Sequence, residues 1–84
     1  MGLDIRERVV VAAVFSDGGM RPVWFLWHGR KYPVSEVTYT WESREGLARL
    51  RHFSVSSGPN VYALAYNPVD TAWELRGVEE DWRG

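Results

Sequence analysis

Residues 22–34 read Pro-Val-Trp-Phe-Leu-Trp-His-Gly-Arg-Lys-Tyr-Pro-Val, and this stretch limits the folds open to the chain more tightly than any other. It combines the densest aromatic content with the clearest turn. Reading Pro22–His28 and Lys31–Val34 as strands leaves Gly29-Arg30 as a two-residue loop, and glycine in its first position suits a type II′ turn. That register pairs His28 with Lys31, Trp27 with Tyr32, Leu26 with Pro33, Phe25 with Val34 and Trp24 with Ser35. Phe25, Trp27, Tyr32 and Val34 then share one face, the expected core side.

The opposite face carries Trp24, Leu26 and His28 beside Lys31 and Pro33. It is more apolar than the solvated face of an antiparallel sheet, so a second strand layer, the segment containing Trp82, or a partner molecule is expected to cover it. Past the turn, the apolar positions change from even (Tyr32, Val34) to odd (Val37, Tyr39, Trp41). A bulge or bend near Ser35-Glu36 would carry the strand from one sheet layer to another, as at a barrel corner.

The remaining segments repeat the pattern of strand and turn. Val9–Phe15 is apolar on both faces and rich in β-branched residues, which predicts a strand over Arg6–Phe15 buried on both sides. Ser16-Asp-Gly-Gly19 is a hairpin signal whose loop holds two residues or three. Val37–Glu42 has strong strand composition, and Ser43-Arg-Glu-Gly46 is expected to break it. Leu47–Arg51 then reads as a helical turn capped by Ser43 or, by preference, as a loop leading into a strand at Arg51–Ser56 with Phe53 and Val55 inward. After the Ser57-Gly-Pro-Asn60 loop, Val61–Asn67 presents Tyr62, Leu64 and Tyr66 on one side. A four-residue loop, Pro68–Thr71, pairs these with Gly77, Leu75 and Trp73. The prediction is an all-β domain, an antiparallel meander of about six strands curled into a small barrel or two-layer roll, with little or no helix.

Eighty-four residues make one domain with scarce core area, and twelve aromatics, five of them Trp, supply bulk where no cysteine exists to form cross-links. Residues 1–5 and 79–84 are expected to fray. Without cysteine, disulfides and thiolate metal sites are excluded, and two separated histidines do not make a zinc site. No apolar run is long enough to span a membrane, so the expected location is the cytoplasm. Net charge is −1, yet residues 21–53 sum to +3 and residues 54–84 to −3, and Arg outnumbers Lys nine to one. That asymmetry places a basic patch on one flank.

No pattern of nucleophile, acid and base converges, and no cofactor is implied. His52 lies near Ser54, Ser56 and Ser57 at alternating strand positions expected to be solvated, and Glu79-Glu80-Asp81 reads as a charged terminus ahead of a hard-cation site. The reading is therefore a non-catalytic binding module. In its leading form Arg30, Lys31, Arg49 and Arg51 contact the phosphates of a nucleic acid while Trp24 or His28 offers a stacking surface. In the alternative, Trp24 and Leu26 bury against another protein or a second copy of the chain.

The succession Pro22-x-x-Phe25-x-Trp27-x-Gly29-Arg30-x-Tyr32-x-Val34, then Trp41, then Leu64-x-Tyr66-Asn-Pro-x-x-x-x-Trp73-x-Leu75 resembles a family of small uncharacterised bacterial domains of unknown function. The likeness spans most of the chain, with Asn67 standing where the family's turn often has Asp. The resemblance implies no reaction, cofactor or catalytic residue.

Overall fold

The computed structural model describes residues 2–80, which form seven strands: β1 (Gly2–Ser16), β2 (Gly19–Trp27), β3 (Arg30–Pro33), β4 (Glu36–Glu45), β5 (Ala48–Ser57), β6 (Asn60–Asn67) and β7 (Ala72–Glu80). They lie in one antiparallel sheet of order β3-β2-β1-β7-β6-β5-β4, curled into a half-barrel. No helix among the described residues is long and apolar enough to cross a membrane.

Two devices produce the curl. β1 pairs with β7 through residues 2–9 and with β2 through residues 10–16, so this one long strand passes from one part of the sheet to the other. The second device is the link between β3 and β4. Val34 N donates to Val23 O at 2.9 Å, and Ser35 N donates to Ser56 O at 2.8 Å. Adjacent residues thus bond to β2 and to β5, and the two edges of the sheet meet there. The change of apolar parity seen in the sequence falls at this switch of partner.

The link also explains why seven strands stand where about six are expected: the bent segment is divided at Val34-Ser35. The ladder runs into the stretches assigned to frayed ends, since Gly2–Asp4 pairs with Gly77–Glu79 and Asn60 pairs with Glu80. Trp82 and Asp81 lie outside the described residues.

The central hairpin turns at His28-Gly29, not Gly29-Arg30, with φ of 52° and 73° at the two loop residues. Positive φ at both makes a type I′ turn, whose twist matches the strands, and histidine is among the residues that tolerate that region best. The register becomes Trp24 with Pro33, Phe25 with Tyr32, Leu26 with Lys31 and Trp27 with Arg30. Moving the turn by one residue moves each partner by two, so the side-chain faces are preserved. Phe25, Trp27, Tyr32 and Val34 do meet the core.

That core gathers Phe25, Phe53, Val55, Tyr62, Leu64, Trp73 and Leu75 inside the curl. Phe25 stacks on Tyr32 with centroids 5.0 Å apart and meets Tyr62 edge-on at 5.2 Å. The β1–β2 loop is two residues, Asp17-Gly18, with Ser16 opposite Gly19. The four-residue loop after β6 forms as expected. Its turn is held by side chains, since Val69 N donates to Asn67 Oδ1 at 2.9 Å and Ala72 N to Asp70 Oδ1 at 3.1 Å. Tyr66 pairs with Trp73 and Leu64 with Leu75, but an irregularity after Ala63 sets Tyr62 opposite Val78 instead of Gly77.

Two further expectations are corrected. Among the described residues β1 is covered on one face only: Val10, 60% exposed, and Val14 point outward with no second layer packed on them, while Phe15, on the inward side opposite Met20, is exposed at the end of the sheet. Ser43-Arg-Glu-Gly46 does not break the strand: β4 continues to Glu45, Gly46-Leu47 forms a tight turn, and β5 begins at Ala48 with no helical turn. Glycine with φ of 61° in the first loop position allows this.

Candidate functional site

The seven residues singled out in the sequence fall into three places. Trp24 and Leu26 project from the outer face of β2, opposite Ala12 and Val10 of β1. Lys31 faces Leu26 from β3, and its Nζ sits 4.6 Å from the centre of the Trp24 ring. His28 and Arg30 belong to the turn end of the hairpin. His28 Nε2 lies 3.2 Å from Glu7 Oε1, which also accepts from Trp27 Nε1 at 3.1 Å, while the Arg30 guanidinium lies over Tyr32 at 5.6 Å.

Arg49 and Arg51 are elsewhere. Arg51 lines a groove with Phe15, Met20, Tyr66 and Pro68 at the end of the barrel marked by the β1–β2 turn. The nine residues of β2 run from that turn to the His28 turn, a span of roughly 25–30 Å at ~3.3 Å per residue. One continuous basic face holding all seven residues is therefore not formed.

What the fold does assemble is an apolar strip left uncovered by the described residues. Along the outer face, Val10, Ala12 and Val14 of β1 stand opposite Leu26, Trp24 and Arg21 of β2. Val10 is 60% exposed and Leu26 38%. The charged side chains at outward positions on this part of the sheet are Arg8, Arg21 and Lys31, and Arg8 reaches Asp70 at 3.5 Å. Apolar in the middle and cationic at the margin, the strip has the make-up of a contact surface.

A second arrangement, on the outer face of β5 to β7, was missed by sequence reasoning. β5 pairs with β6 only from Arg51 onward, so the turn end of the β4–β5 hairpin is free of the sheet. Glu45 on that free end accepts from Arg76 of β7, Nη1 to Oε2 at 2.8 Å and Nη2 to Oε1 at 3.2 Å. It also accepts from Arg6 Nη2 of β1 at 2.9 Å. β7 and β1 are three and four strands from β4 in the sheet, about 14 and 19 Å away if it were flat. The tip therefore comes back across the sheet, and Ala48 and Leu50 are buried beneath it.

Arg76 Nε donates to Glu74 Oε1 at 2.8 Å, completing an ion-pair chain from Arg6 to Glu74 that borders a cavity of about 220 Å³. The Arg76 hydrogen bond holds the Glu45 carboxyl below its usual range, and the same bond raises Arg76. Ala63 and Ala65, small residues at outward positions of β6, are the one sequence sign that something lies over this face.

His52, expected to be solvated, is buried on this same side, while Ser57, also expected to be solvated, is buried on the inward side within the β5–β6 hairpin. The His52 ring stacks on Trp41 at 4.9 Å with an interplanar angle of 7°, and its Nε2 lies 2.7 Å from Ser43 Oγ. Burial pushes its pKa below 6.5, Arg76 pushes it in the same direction, and Glu45 opposes them. A base whose folded pKa is depressed leaves the unfolded chain with more bound protons just below pH 6.5. Thermal stability is therefore expected to fall as pH drops from about 6.5 through the folded pKa. His52→Gln should flatten that part of a Tm-against-pH curve, while the loss attributable to Glu45 at lower pH persists. An unchanged slope in the variant would remove His52 from the account.

Comparisons with protein-family models, with curated proteins and with solved structures return no match.

Proposed function

We propose that this chain is a non-catalytic binding module that docks an acidic, apolar-bearing protein segment on the outer face of β1 and β2. The reading rests on one observation: Val10 and Leu26 stand directly opposite each other on a face that no other element among the described residues covers, flanked by Trp24 and bounded by Arg21 and Lys31. A solvated face of an antiparallel sheet carries polar residues at such positions. The cationic margin selects the sign of the partner. The cysteine-free composition fits a reducing cytoplasm.

A second reading, single-stranded nucleic acid, draws on the Lys31 ammonium over the Trp24 ring and on exposed His28 and Arg30 beyond it. The two differ in footprint and in salt dependence. Amide shifts are expected at Val10–Val14 and Trp24–Leu26 during titration with an amphipathic Glu/Leu peptide. Leu26→Asp should abolish them without unfolding the domain, since Leu26 is exposed. Shifts centred on His28–Lys31 with a labelled oligonucleotide, steeply weakened by salt, would transfer the assignment to nucleic acid. Silence at the outer face with both probes sinks both readings.

A further inference from the structure

The two edges of the sheet are not protected alike. β3 is four residues long and carries Arg30, Lys31 and Pro33, all of which discourage another strand from pairing with it. β4 runs for ten residues, Glu-Val-Thr-Tyr-Thr-Trp-Glu-Ser-Arg-Glu, with no Pro, Gly or Lys, and among the described residues pairs with β5 alone. Its middle is built from the strongest strand formers. Tyr39 is 65% exposed and stacks on Trp41 at 5.4 Å, and Trp41 in turn lies on His52. Tyr39 pairs with Ser54 and Trp41 with His52, so both rings stand on the outer side of the sheet. An exposed aromatic tier beside an open ladder of backbone donors and acceptors is an adhesive edge.

We infer that β4 is the contact between two copies of this chain, joined antiparallel about a two-fold axis through Thr40 so that the two sheets become one. The strand's own sequence selects this occupant and this register. Residues 38–42, Thr-Tyr-Thr-Trp-Glu, place an aromatic residue on each side of Thr40. Reversal about Thr40 therefore sets Tyr39 of each copy against Trp41 of the other, with Thr40 opposite its counterpart, and both pair types are favoured across strands. The Trp41–His52 stack then gains a tyrosine ring from the second copy. A two-fold at Trp41 leaves Tyr39 opposite Ser43, and one at Glu42 sets two carboxylates face to face. The pairing stops where β4 is irregular, at Thr38, whose Oγ1 turns away to Ser54 O at 3.1 Å. A contact this short belongs to the small, concentration-dependent class of interface.

The chain has no cysteine, so one introduced thiol reports the register directly. Thr40→Cys puts two thiols on directly opposed positions, with Cβ atoms about 4.5–5.5 Å apart, close to what a disulfide requires. Under mild oxidation it should give a covalent dimer at least ~10-fold faster than Leu47→Cys, in keeping with the raised effective concentration at the axis. Leu47 is 96% exposed and lies off that axis. In the unmodified chain, amides of residues 38–42 should become more protected from hydrogen exchange as concentration rises. Equal cross-linking rates, or protection in 38–42 that ignores concentration, would overturn the inference, as would a dimer whose protected amides lie at Val10 and Leu26. That last outcome would leave the docking face of β1 and β2 standing with a second copy as its occupant.

Discussion

Phe25→Ala is expected to lower the free energy of unfolding by about 3–5 kcal/mol and to leave much of the protein unfolded at 37 °C. Phe25 is fully buried, at 0% exposure, and its ring is the hub of the aromatic cluster, stacked on Tyr32 and edge-on to Tyr62. Truncation removes the transfer energy of the ring and also leaves Tyr32 and Tyr62 facing a void that a close-packed core closes only in part. In urea the midpoint should move sharply while the slope stays the same, since the fold lost is the same fold. Phe25→Leu, which keeps most of the volume, should cost about 1–2 kcal/mol. If alanine proved as mild as leucine, the centre of the core would have to be placed elsewhere.

The second large effect is expected at Arg76. Its guanidinium holds Glu74 through Nε and Glu45 through both terminal nitrogens, with the side chain only 19% exposed. Charge-assisted hydrogen bonds in such a setting carry more than surface ion pairs do. Arg76→Ala should cost about 2 kcal/mol. Arg6→Ala, at a side chain 59% exposed, should cost under about 1 kcal/mol.

The distinguishing result for Arg76 is local. Amide protection should collapse across residues 44–50, the free end of the β4–β5 hairpin, while β6 keeps its own. The same clasp weakens in acid. Glu45 titrates below its ordinary value of 4.5 because of the Arg76 hydrogen bond, so its contribution is present above that value and is lost as pH falls through the lowered one. Uniform loss of protection over all strands would mean that Arg76 supports the whole sheet and not the clasp.

How far these features can be read from the chain depends on the distance over which each is determined. Loops set by two to four residues were legible in position: Pro68–Thr71 has the Asn67 and Asp70 side chains that hold it, and the Asp17-Gly18 turn has its glycine, although whether that loop held two residues or three stayed open in the sequence. The central turn was misplaced by one residue because glycine fits either position of a tight turn, and what settles it is the readiness of His28 to take positive φ. The core faces survived that error because a strand's period is two. Periodicity failed for β1, where apolar residues on both sides signal two-sided burial only if a second layer exists, and among the described residues none covers Val10 or Val14. It failed again at β4, where the irregularity at Thr38 turns Tyr39 and Trp41 outward.

The surfaces were legible in part. Trp24, Leu26 and Lys31 do share a patch, but Arg49 and Arg51 were joined to it by charge alone, and charge carries no information about which end of a strand a residue occupies. The Arg6–Glu45–Arg76 cluster joins residues 39 and 31 positions apart in the chain, and no local pattern announces such a meeting.

The neighbouring placement of β1 and β7 has a consequence for how the molecule is made. Among the described residues the backbone ladder joins the part of the sheet containing residues 10–33 to the part containing residues 36–80 at two seams, the β1–β7 ladder and the turnover at Val34-Ser35. A ribosome releases the first partner of that ladder about seventy residues before the last. Until β6 and β7 have been made, Phe25 and Tyr32 lack the Tyr62 ring they pack against and β1 lacks its second partner strand, so closure of the sheet has to follow their synthesis.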